Sequence, residues 1–76
     1  MYRKFHKLRV RFAELDMTQN EVARRAGIAV ATMTTRMTGR YPFTAAEIIA
    51  LADVLDIKPE EFGAYFFEDT PRKKVG

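Results

Sequence analysis

Residues 18–39, TQNEVARRAGIAVATMTTRMTG, constrain the fold more than any other stretch of this chain. Thr18 and Glu21 make the S/T-x-x-E pattern, in which each side chain accepts from the other's backbone amide and a helix begins. Gly27 follows Ala26, the last apolar residue of that run, where a left-handed residue can close the helix at least cost. A second helical run over 30–38 stops at another glycine, Gly39. The spacing therefore predicts two short helices, 19–26 and 30–38, joined by a three-residue turn containing glycine. That is a helix-turn-helix unit, a pairing that crosses its helices steeply and needs further helices to cover their apolar sides.

The rest of the chain supplies those helices. Phe5, Leu8, Phe12 and Leu15 recur at spacings of three and four, which predicts a first helix from about residue 3 to 14. Its other face carries Arg3, Lys4, Lys7, Arg9 and Arg11. Val22, Ala23 and Ala26 of the second helix and Met33 and Met37 of the third face the core, with Ile28 plugging the turn. Pro42 disfavours helix at Tyr41, so 39–43 is a loop. Thr44 and Glu47 repeat the capping pattern, and a fourth helix starts at Ala45 with Ile48, Leu51, Ala52 and Leu55 as its core stripe. Phe43 and Ile48 stand at the two positions of a hydrophobic staple. Pro59 is suited to open a fifth helix, with Glu60 and Glu61 at its positive end and Phe62, Tyr65 and Phe66 on its buried side. The expected fold is all-α: a compact five-helix domain over 1–67, with a polar tail over 68–76.

Seventy-six residues allow one small core. The chain has no cysteine, which excludes disulfides and thiolate metal sites. No apolar run approaches the roughly 20 residues that span a bilayer, and the basic N-terminus lacks the apolar region of a secretory signal. The expected location is the cytoplasm, with no membrane partner. His6, the single histidine, has no second ligand or nucleophile paired with it, so no catalytic residue, metal or cofactor is expected. Charge is segregated along the chain. Residues 1–43 carry nine basic and three acidic residues, a net of +6, whereas 44–67 set Lys58 against five carboxylates, a net of −4. One side facing a polyanion and one turned away from it would produce this pattern.

The spacing of Thr18, Gln19, Val22, Ala23, Gly27, Ile28, Thr32, Met33 and Gly39 resembles the Cro/CI-type (XRE) helix-turn-helix family of phage and bacterial repressors. The likeness extends over about 8–67. Arg36-Met37-Thr38-Gly39, with Phe43-Thr44 and Glu47-Ile48, is similar to short prophage-encoded regulators. The resemblance implies a lambda-repressor-like domain that binds double-stranded operator DNA, with the third helix in the major groove and a homodimer on a palindromic site. It implies a phosphate contact at Gln19, base-facing or adjacent positions at Ala29, Val30, Ala31, Thr34 and Thr35, and phosphate contacts at Thr38 and Arg40. Thr32 follows the same pattern, and a threonine within a helix can also bond back to a carbonyl. Arg36 and Tyr41 are additional candidates for phosphate, Arg36 alternatively lying along the domain surface. Tyr65 and Phe67 are candidates for the dimer interface.

The base-facing set departs from the family in one respect. Relatives often carry Gln, Asn, Arg or Lys there, and none of Val30, Ala31, Thr34 and Thr35 can make the bidentate contacts that discriminate guanine or adenine best. Thymine methyls and DNA shape are the expected sources of specificity, with affinity from phosphates. The competing expectation is a protein-interaction module on the same scaffold, an antirepressor or antitoxin-like protein that binds another regulator. Its support is this weakly polar third helix; the basic first helix, Gln19 and Arg40 weigh against it.

Overall fold

The computed structural model describes residues 4–67, and these form five α-helices with no strand among them. The helices are α1 (His6–Glu14), α2 (Gln19–Ala26), α3 (Val30–Met37), α4 (Ala45–Leu55) and α5 (Phe62–Phe66), with a single 3-10 turn, Pro59–Glu61, leading into α5. Both expected capping boxes are made. Thr18 Oγ1 accepts from the Glu21 amide at 3.1 Å while Glu21 Oε1 accepts from the Thr18 amide at 3.2 Å. The corresponding distances for Thr44 and Glu47 are 3.1 and 2.9 Å.

Helix ends are as regular as the starts. At α2, the Ile28 amide donates to Ala23 O at 2.8 Å and the Gly27 amide to Arg24 O at 3.1 Å, the bond pair of a Schellman motif, with Gly27 at φ 74°. The same pair closes α1 around Asp16 and α3 around Gly39, both in the left-handed region. The chain thus turns sharply after each helix, and the C-terminal carbonyls that would otherwise be orphaned are satisfied.

Leu8, Val22, Met33, Met37, Leu51 and Leu55 are fully buried, so each of the first four helices contributes to one core. Among the described residues no polar side chain is buried. Helix α4 packs most heavily on α2, which in turn carries α3. On the far side, Phe5, Phe43, Phe66 and Phe62 form an edge-to-face chain with successive ring centroids 5.2, 5.5 and 6.0 Å apart. Such contacts add to simple burial because the positive edge of one ring meets the negative face of the next.

Four expectations need correction. Helix α1 starts at His6, because Phe5 adopts φ 57° and folds its ring into the core, where a helical φ would not put it. Thr38 is the cap of α3 and lies outside its last turn. The fifth helix opens with the 3-10 turn at Pro59, tightened by Glu61, whose amide donates to Lys58 O at 2.8 Å. Ala26 is half-buried, as is Leu15. The expected role of Arg3 in α1 and the polar tail over 68–76 lie outside the described residues.

Candidate nucleic-acid interface

Helix α3 owes its position to one apolar edge and one ion pair. Met33 and Met37, one turn apart, are buried, and the Schellman turn at Gly27 fixes the angle at which α3 leaves α2. On its flank, Arg36 Nε donates to Glu47 Oε1 at 2.8 Å and Nη2 to Oε2 at 3.1 Å, a two-point contact between α3 and the first turn of α4. Both side chains are largely shielded, at 17% and 16% exposure. The hydrogen bonds from Arg36 hold the Glu47 carboxyl below the ordinary carboxylate range, against the opposing effect of its burial and with help from the Thr44 amide. Glu47 therefore caps α4 and tethers α3 with one carboxylate. The Arg36 guanidinium is thus engaged within the fold, by Glu47.

The remaining expected positions divide by exposure. Ala29, Val30, Ala31, Thr34 and Thr38 are exposed, and the helical period puts Val30, Ala31, Thr34 and Thr38 on one face. Arg40 and Tyr41 follow in the exposed loop. Gln19, Thr32 and Thr35 are half-buried. Gln19 is the first residue of α2, where the capping box satisfies the Glu21 amide and the amides of Gln19 and Asn20 have no acceptor among the described residues. Glu21 stands in the same turn, so any anion there meets one carboxylate as well as the helix's positive end. Helix α3 has no side-chain cap at Ala29, which leaves the amides of its first turn open too.

The threonines hold a detail that residue spacing does not reveal. Thr34 Oγ1 donates to Val30 O at 3.1 Å, Thr35 Oγ1 to Thr32 O at 2.8 Å, and Thr38 Oγ1 to Thr35 O at 3.1 Å. Thr35 also accepts from Arg36 Nη1 at 3.5 Å. Beside α3, Gly27, Ile28, Ala29 and Thr32 face Ala46, Glu47 and Ala50 across a shallow groove of about 310 Å³.

Part of the basic N-terminal half is turned to structural use. Arg11 Nε donates to Leu55 O at 2.9 Å, and Arg9 Nη2 to Met37 O at 3.4 Å, so α1 places cations at the negative ends of α4 and α3. Lys7 Nζ lies 5.1 Å from the centroid of the Tyr65 ring. In the sequence Lys7, Arg9 and Arg11 stand only as parts of a basic face. Arg9 Nε also donates to Lys4 O and Arg11 Nη1 to Glu14 Oε1, but nothing local marks the two distant carbonyls, 28 and 44 residues away. Arg40, by contrast, has no ion-pair partner among the described residues. Tyr65 is half-buried beneath Lys7, whereas Phe67 is 49% exposed.

Five helices, the Gly27 turn and an α3 with one exposed, mostly uncharged face agree with the result of comparison to known families. No curated protein sequence and no solved structure matches the chain. A family model, the Cro/C1-type HTH DNA-binding domain, matches residues 7–68. The chain belongs to that family of helix-turn-helix DNA-binding domains.

Proposed function

We propose that this protein is a sequence-specific transcriptional regulator, a small repressor of the phage or prophage kind, which lays α3 in the major groove of operator DNA. The observation that carries this reading is the exposed face of α3. Val30, Ala31 and Thr34 are left outside while Met33, Met37 and Arg36 fasten the helix from behind. A helix presented in this way can enter a groove without rearranging the core.

Phosphate contacts frame that face in this reading. Gln19 and the open first-turn amides of α2 take one strand, and Thr38, Arg40 and Tyr41 take backbone beyond the end of α3. Val30 and Ala31 pack on thymine methyls; Ala29, Thr32 and Thr35 lie at the margin of the base-reading surface. A twofold dimer, with Phe67 and the exposed edge of Tyr65 at its contact, sets two recognition helices about 34 Å apart on a palindrome.

Selection from a random duplex library, followed by a salt titration on the enriched site, tests the proposal. A defined motif should emerge, and affinity should fall by about 0.9 log unit per log unit of salt for each phosphate contact. Enrichment of no motif would refute it. One observation favours the protein-binding alternative: Ile49 on α4 is 64% exposed on the element that lines the groove beside α3. Ile49→Lys should leave DNA binding unchanged under the main proposal and abolish capture of a partner regulator under the alternative.

A further inference from the structure

A hydroxyl has one proton to give. In Thr34, Thr35 and Thr38 that proton is directed at a backbone carbonyl of the preceding turn. What each oxygen still offers is acceptance alone, and at Thr35 the half-buried oxygen already receives Arg36. Thr34 is the exposed member within α3. Around it stand Val30, Ala31 and Ala29, which contribute methyl groups and no side-chain donor. The exposed face of α3 therefore combines methyl groups with an acceptor oxygen, with no side-chain N–H beside them.

The major-groove edges of the bases can be compared with that face. Guanine presents two acceptors, N7 and O6, and both oppose an acceptor oxygen. Thymine presents a methyl beside the acceptor O4. Cytosine presents the N4 amino donor beside a bare C5 edge. A cytosine methylated at C5 joins a donor to a methyl at adjacent ring positions, which complements a threonine whose proton is committed elsewhere. The Thr34 oxygen accepts from the N4 amino group, and its Cγ2 methyl packs on the C5 methyl.

Resting on the reading that α3 enters the major groove, we infer that Thr34 makes this protein a reader of 5-methylcytosine, so that cytosine methylation within its site tightens binding. Methylation of the DNA then becomes a signal that the domain senses directly. Thymine satisfies the methyl half of the contact and opposes the other half; unmethylated cytosine does the reverse.

The test takes a duplex enriched from the random library. Each pyrimidine of one half-site is replaced in turn by cytosine, 5-methylcytosine, uracil and thymine, with the matching purine opposite, and affinity is measured for the full chain and two variants. At one position the unmodified protein should bind 5-methylcytosine about fourfold more tightly than cytosine, the factor that burying one methyl group supplies. Thr34→Ser keeps the hydroxyl and should erase that methyl preference. Thr34→Val keeps the methyls, so it should retain the preference while no longer favouring 5-methylcytosine over thymine. Equal or weaker binding on methylation at every position overturns the inference, as does a methyl preference at that position that Thr34→Ser leaves unaltered. Those results leave salt-dependent DNA binding intact, whereas failure to bind any duplex refutes the DNA-reading proposal itself and this inference with it.

Discussion

Replacing glycine by alanine should have opposite effects at two places in this molecule, and the difference can be worked from backbone geometry. Gly27 has φ 74° and Gly63 lies within α5, at a φ outside the left-handed region. A Cβ built on either meets nothing within 4 Å, so steric collision does not enter at either site. At Gly27 an alanine must hold the left-handed conformation, at a cost of about 1–2 kcal/mol. The stiffer unfolded chain returns about 0.4–1 kcal/mol. Gly27→Ala should therefore destabilise by about 0.5–1.5 kcal/mol. At Gly63 the helical conformation suits alanine, and Gly63→Ala should stabilise by about 0.5–1 kcal/mol. Urea unfolding followed by circular dichroism measures both, and thermal midpoints should move in opposite directions by about 4–8 °C per kcal/mol. Gly39→Ala forms a third arm. Its φ of 83° carries the same strain, and its Cβ would also approach Lys4 Cδ and Cε to 2.6 and 2.7 Å, which the flexible side chain can relieve by swinging away. A stable Gly27→Ala, or a Gly63→Ala that loses stability, would refute the reasoning.

Three further expectations follow from the core, the tether and the proposed phosphate contacts. Met33→Ala empties a fully buried site beneath α3 and should cost about 2–5 kcal/mol, enough to unfold much of the population of so small a domain at moderate temperature; urea midpoints check it. The Arg36 contact lowers the Glu47 pKa on folding, so this carboxylate's contribution is fully present above its unfolded-state pKa and fades as pH falls through that range towards the folded value. Unfolding midpoints measured from about pH 7 down to about pH 3 should therefore decline less steeply in Glu47→Gln than in the unmodified protein. Gln19→Ala and Arg40→Ala should weaken all DNA sequences alike, with Arg40→Ala reducing the salt slope by about 0.9; parallel titrations on the enriched and a scrambled duplex measure this.

The fold was legible where a local rule decides the backbone. Thr18 with Glu21, Thr44 with Glu47, and Gly27 each act through atoms a few residues apart, and the starts of α2 and α4 and the turn between α2 and α3 lie where those residues put them. Phe5 escaped such reasoning because its apolar spacing fits a helix. Only the distant rings of Phe43 and Phe66 show why the chain bends left-handed to bury it. The site was legible as a segment and incompletely as chemistry. Spacing identified α3 and its exposed positions, but Arg36 looked like a surface cation until Glu47, 11 residues on, was brought beside it. The same holds for Arg9 and Arg11, whose distant acceptors are helix-end carbonyls with no side-chain signature. The direction of the threonine protons depends on rotamers, which composition does not encode.

The proposed placement of DNA on α3 can be mapped one amide at a time. In a nitrogen-15 correlation spectrum, titration with the enriched duplex should shift Gln19, Asn20, Ala31, Thr34, Thr38 and Arg40 most, and leave Asp53, Asp56 and Glu60 of the acidic half nearly unmoved. Shifts concentrated on Ile49, Ala50 and Asp53 of α4, with Ala31 and Thr34 unchanged, would contradict the account.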